Sequence, residues 1–111
     1  MKKTAVSEHE LRSVRASYEP RFHLLSELAR RLEQETRDAL SRVPRVDRIS
    51  FRAKEPDSFA KKSLSVDPGG LRKYAFPLAD IEDQVAGRVL VFFRRDINVV
   101  VKRLLETFNP V

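Results

Sequence analysis

Apolar residues first recur at helical spacing, with Leu11, Val14 and Tyr18 marking one face of a segment that opens at Ser7. Ser7 followed by Glu10 forms a capping box, in which a hydroxyl and a carboxylate satisfy amide groups of the first turn. Pro20 lacks the N–H that a helix interior uses, so Ser17 to Pro20 predicts a bend or a new helix with Pro20 near its first turn. From Arg21 to about Val43, Phe22, Leu25, Leu28, Leu32 and Leu40 form an apolar stripe, while Arg30, Arg31, Glu33, Glu35, Arg37 and Asp38 fill the other faces. This is the pattern of an amphipathic helix of roughly six turns, which Pro44 ends. From Val46 the period becomes two: Ile49, Phe51 and Ala53 point one way and Ser50, Arg52 and Lys54 the other, as on a half-buried strand.

Glu55-Pro56-Asp57-Ser58 carries helix-start chemistry and predicts a short helix over roughly 56 to 64. Asp67-Pro68-Gly69-Gly70 is the strongest breaker in the chain, and Leu71 to Glu82, with Pro77, reads as an irregular or briefly helical connection. Val89-Leu90-Val91-Phe92-Phe93 is a continuous β-branched and aromatic run, the pattern of a strand covered on both faces. Asp96 is expected to cap a last helix through Val99, Val100, Leu104, Leu105 and Phe108, which Asn109-Pro110 stops. The order helix, helix, strand, short helix, loop, strand, helix is an α/β arrangement without the third and later strands a stable sheet normally has.

Composition narrows this picture only slightly. The chain of 111 residues is at most one domain, and 41% apolar residues with seven Phe argue for a folded core. Cysteine is absent and the two histidines, His9 and His23, are too few for a metal cage. Met1 to Val6 carry basic charge but meet Glu8, His9 and Glu10 instead of an apolar stretch, so neither a secretion signal nor a membrane span is expected, and the expected location is cytoplasmic. The net charge of +6 divides evenly between residues 1 to 45 and 46 to 111, a mild surplus compatible with nucleotide or RNA partners.

The residues with the clearest chemistry follow one another from the first strand into the short helix. Arg52 and Lys54 project from one strand face, and Ser58 and Lys62 lie one turn apart on the helix that follows. Two strand cations, a hydroxyl in a first helical turn and a further lysine can converge as a cradle for polyphosphate. No phosphate-loop glycines accompany them, so side chains must supply the contacts. Lys61 should face solvent, and Tyr74 and Phe76 are expected to pack the connection onto the core.

The spacing R-x-K-x-x-x-S-x-x-x-K, filled by Arg52, Lys54, Ser58 and Lys62, resembles the opening motif of the RelA/SpoT family of alarmone synthetase domains. In that family a tyrosine-and-proline connector leads to a D-x-x-G-x-R element entering a strand, and here Tyr74 and Pro77 precede Asp83-Gln84-Val85-Ala86-Gly87-Arg88, with Ala86 where the family has glycine. The likeness covers about residues 18 to 108. It implies a nucleotidyltransferase-like half-domain of α/β (α+β) class, with long N-terminal helices and a small mixed sheet, truncated before the later strands. Residues 1–17 would then be a helical extension and residues 18–111 the partial synthetase domain.

Such domains transfer the pyrophosphate of ATP to the 3′-hydroxyl of GDP or GTP, giving (p)ppGpp. By position the resemblance implies that Arg52 and Arg88 sandwich adenine, that Lys54, Ser58 and Lys62 face the ATP phosphates, and that Asp83 holds Mg²⁺. The family's later acidic strand and guanine-stacking tyrosine have no counterpart here, so GDP or GTP would bind only if a further segment completed the site, and no residue is assigned as catalytic. The resemblance also implies self-association. Two other readings stand beside it: a non-catalytic helical module using Arg30, Arg31 and Arg37 on RNA phosphates, without a motif, and a partner-binding module that buries an open sheet edge.

Overall fold

The computed structural model describes residues 7–109; the basic N-terminal residues and Pro110, whose roles were anticipated above, lie outside them. The elements are α1 (Glu8–Ala39), β1 (Val46–Ala53), α2 (Pro56–Ser63), the single turn α3 (Pro77–Asp80), β2 (Val85–Val91), a 3₁₀ turn (Arg94–Asp96) and α4 (Ile97–Phe108). This is a small α+β fold with a long N-terminal helix, a two-stranded antiparallel sheet and a C-terminal helix. The expected mixed sheet is therefore corrected to an antiparallel one. The chain forms two compact units, Met1–Ser26 with Ala53–Val85 and Glu27–Arg52 with Ala86–Val111.

One helix runs through Pro20, where a bend or a new helix was expected. Pro20 and Ala16, whose carbonyl loses its helical donor, are both exposed, so water can take that bond. Half of the capping box forms: the Glu10 N–H donates to Ser7 Oγ at 3.1 Å, but the Glu10 carboxylate accepts from Arg72 at 2.7 Å.

In the first unit, Tyr18, Phe22 and Leu25 of α1 meet α2 and the connection. Tyr18, Phe59 and Ile81 are buried, and the Tyr18 and Phe59 rings stack at 4.0 Å with 8° between planes. Pro56 starts α2 as expected, and Arg15 ties its first turn to α1 through Asp57 at 2.8 Å. Asp67 to Gly70 make a turn closed by a bridge between Val66 and Arg72, with Gly70 at φ 84°, a conformation glycine adopts without a Cβ penalty. Tyr74 packs on the core, whereas Phe76, expected to do so, is 73% exposed.

In the second unit, Leu40, Ile49 and Val100 form the core, with Phe51, Val89, Val91 and Leu104 against it. β1 obeys its alternation, Ile49 and Ala53 being buried. β2 begins earlier than its apolar run suggested and is not covered on both faces: Leu90 is 38% and Phe92 63% exposed. Among the described residues the sheet has two strands, too few to bury the whole of this apolar run.

Asp96 stands before α4 but caps no amide. Its buried carboxylate instead accepts two bonds from Arg45, at 3.0 and 2.6 Å. Arg45 sits at φ 63°, left-handed backbone that a non-glycine residue holds only when its surroundings enforce it. The hydrogen bonds from Arg45 hold the Asp96 carboxyl below the usual aspartate range. The folded state therefore takes up this proton less readily than the unfolded chain, so the stabilisation is complete above the ordinary value near 3.8 and is lost as pH falls below it. Acid titration of Asp96→Asn should show this part of the pH dependence missing; an unchanged acid-unfolding profile would contradict it.

Candidate functional site

α2 ends by turning Lys62 back toward the segment that enters β2. Lys62 Nζ donates to Asp83 Oδ1 at 2.8 Å, and Lys54 Nζ lies 3.3 Å from Asp83 Oδ2. The end of β1, the helix that follows it and the later segment entering β2 thus place two ammonium groups on one carboxylate. The hydrogen bond with Lys62 lowers the Asp83 pKa and raises that of Lys62, which keeps both charged at neutral pH. The Asp83 side chain is 50% exposed, so the cluster is open to an anionic ligand.

Residues without obvious chemistry hold this arrangement. Tyr18 Oη donates to the Lys54 carbonyl at 2.8 Å, and the Lys54 N–H donates to the Gln84 carbonyl at 2.7 Å. The buried Gln84 side chain donates to the carbonyls of Leu78 and Ile81, pinning the loop that carries Asp83, while its Oε1 has no partner among the described residues. Sequence reading passed over Tyr18 and Gln84 as site residues. Nothing in their local spacing connects either to Lys54 or Asp83.

Ser58 does not join the cluster; it is exposed on the first turn of α2 and makes no side-chain bond among the described residues. Lys61 faces solvent, as expected. In the second unit, Arg52 and Arg88 come together on one sheet face, lining an open pocket of about 270 Å³ with Ser50, Ala86 and Gly87. Neither guanidinium pairs with a carboxylate among the described residues.

Asp83 alone does not make a magnesium site. Mg²⁺ demands near-octahedral oxygen coordination, whereas both Asp83 oxygens face ammonium groups and no cluster of three metal-binding side chains occurs among the described residues.

Charge is less even in space than along the chain. Among described residues the second unit carries twelve basic and seven acidic side chains, and the first eight and nine. The basic surplus belongs to the second unit. No described helix is long and apolar enough to cross a membrane. Comparison with protein-family models, curated proteins and solved structures finds no match to this chain.

Proposed function

We propose that the chain binds ATP and is the donor-nucleotide portion of a pyrophosphate-transferring domain of the alarmone-synthetase kind. The observation that carries this reading is that Lys54 and Lys62, from the first motif, meet Asp83, which opens the second motif 21 residues after Lys62. A polyphosphate offers each ammonium more oxygen acceptors than one carboxylate can, and charge-assisted bonds of this type are the stronger ones. The resemblance assigns the phosphates to Lys54, Ser58 and Lys62 and the base to Arg52 and Arg88, whose planar cations suit stacking. Mg²⁺ belongs to the proposal as the ion that ATP carries with it. Transfer to GDP or GTP, giving (p)ppGpp in the cytoplasm, is proposed only for a site completed by a further segment.

Calorimetric titration with ATP tests the reading. Lys54→Ala and Lys62→Ala should each weaken binding about tenfold or more, the scale of one lost charge-assisted bond at 1.4 kcal/mol per decade. Equal affinity for wild type and both variants would sink the assignment. Arg37, one of the residues of the RNA reading, donates to the Ile49 carbonyl at 2.9 Å and also pairs with Glu33.

A further inference from the structure

The sheet of the second unit has two edges of unlike character. On the outer edge of β1, the Phe51 N–H donates to Glu33 Oε1 at 2.9 Å and the Ile49 carbonyl accepts from Arg37 at 2.9 Å, so side chains of α1 stand where a strand would. β2 has no second partner strand among the described residues. In an antiparallel pair alternate residues turn their backbone groups toward the partner and away from it. The bonds of Gln84 and Phe92 with the β1 side set the even positions inward, so Gly87, Val89 and Val91 present their N–H and C=O groups outward.

The two faces beside that edge differ as sharply. On one, Phe51, Gly87, Val89, Val91, Ile97 and Val101 line an open groove of about 330 Å³ with no charged residue in its wall. On the other, β1 alternation places Arg48 with Ser50 and Arg52, and Arg88 stands across from them, with no carboxylate partner for any of the three arginines among the described residues. A strand added at this edge would send alternate side chains to the two faces. Those opposite Gly87, Val89 and Val91 would enter the apolar groove, and those opposite Arg88 would meet unpaired positive charge.

From this charge complementarity we infer that the β2 edge accepts an extended segment of a partner protein in which apolar residues alternate with carboxylates. Main-chain bonds to β2 supply the attachment and the two faces select the side chains. A second copy of this chain is a poorer occupant, because it would bring a unit with the same basic surplus. The inference does not rest on ATP binding, and its test contains no nucleotide.

The test uses the whole chain and two blocked heptapeptides, one alternating valine with glutamate and one alternating valine with lysine. By fluorescence anisotropy the glutamate peptide should bind at least tenfold tighter, and amide shifts should concentrate at Gly87, Val89 and Val91. Arg88→Glu, a change at an exposed side chain, should cut the preference severalfold, with Arg48 and Arg52 remaining. Val89→Pro removes one outward N–H while leaving the bonds to β1, a substitution edge strands accept, and should abolish binding of both peptides. Equal binding of the two peptides, an unchanged preference in Arg88→Glu, shifts confined to other residues, or sedimentation of the peptide-free chain as a dimer paired through β2 would each overturn the inference.

Discussion

Phe59→Ala is expected to lower the stability of the first compact unit by about 3 to 5 kcal/mol, the range for emptying a buried phenylalanine site. Phe59 is fully buried, and its ring is the platform on which the equally buried Tyr18 ring stacks. Its removal takes away transfer free energy and dispersion contacts together and leaves a void beside Ile81. A small domain has only about 5 to 15 kcal/mol in all, so a loss of this size leaves the unit barely folded. The effect should reach the candidate site, because the Tyr18 hydroxyl holds the Lys54 carbonyl. Urea unfolding should give a lower midpoint, and hydrogen exchange should show lost protection at Lys54 as well as around Tyr18; an unaltered midpoint would refute the role given to the stack. Phe59→Leu refills most of the volume and should retain most of the stability.

Gly87→Ala should cost about 1 to 3 kcal/mol, the usual penalty for forcing an extra methyl group into a packed site. A Cβ built on Gly87 falls 2.2 to 2.6 Å from three carbons of the Phe51 ring, well inside van der Waals contact. Space alone calls for glycine here, because the Phe51 ring occupies the position a Cβ would take. The decisive measurement is a double-mutant cycle with Phe51→Leu. Shrinking the ring should recover part of the loss in the alanine background, giving a coupling free energy of about 0.5 to 3 kcal/mol. Additive effects would mean that the glycine is needed for some other reason. The same contact gives Gly87 a local physical role one position beyond the glycine of the D-x-x-G-x-R pattern.

Legibility followed the range of the physics. α2 was readable from Pro56 at its first turn and β1 from strict alternation, because both signals are local. The stripe on α1 was readable where large side chains carried it, but Leu28 is exposed while Ala29 and Thr36 are buried, and small or hydroxylated residues leave no hydrophobic signal. No new helix starts at Pro20, and at this exposed position water can take the bond that the missing N–H leaves open. The run from Val89 to Phe93 misled because composition shows that a strand is apolar without showing what covers it. The Arg45–Asp96 pair, which joins the start of β1 to the start of α4, has no local pattern at all. Of the site, Lys54, Lys62 and Asp83 were each singled out by motif spacing, but the meeting of the two lysines on Asp83 has no local signal, and Ser58 stays apart.

Glu33 and Arg37 have a consequence beyond holding β1 to α1. Growth of a fibril requires every added strand to leave a fresh edge for the next, and here a carboxylate and a guanidinium occupy backbone groups on one side. A copy of this sheet joined through β2 would turn its β1 side outward, where the Phe51 N–H and the Ile49 carbonyl are already engaged. Any further strand would first have to displace those two bonds, which disfavours endless addition through this sheet.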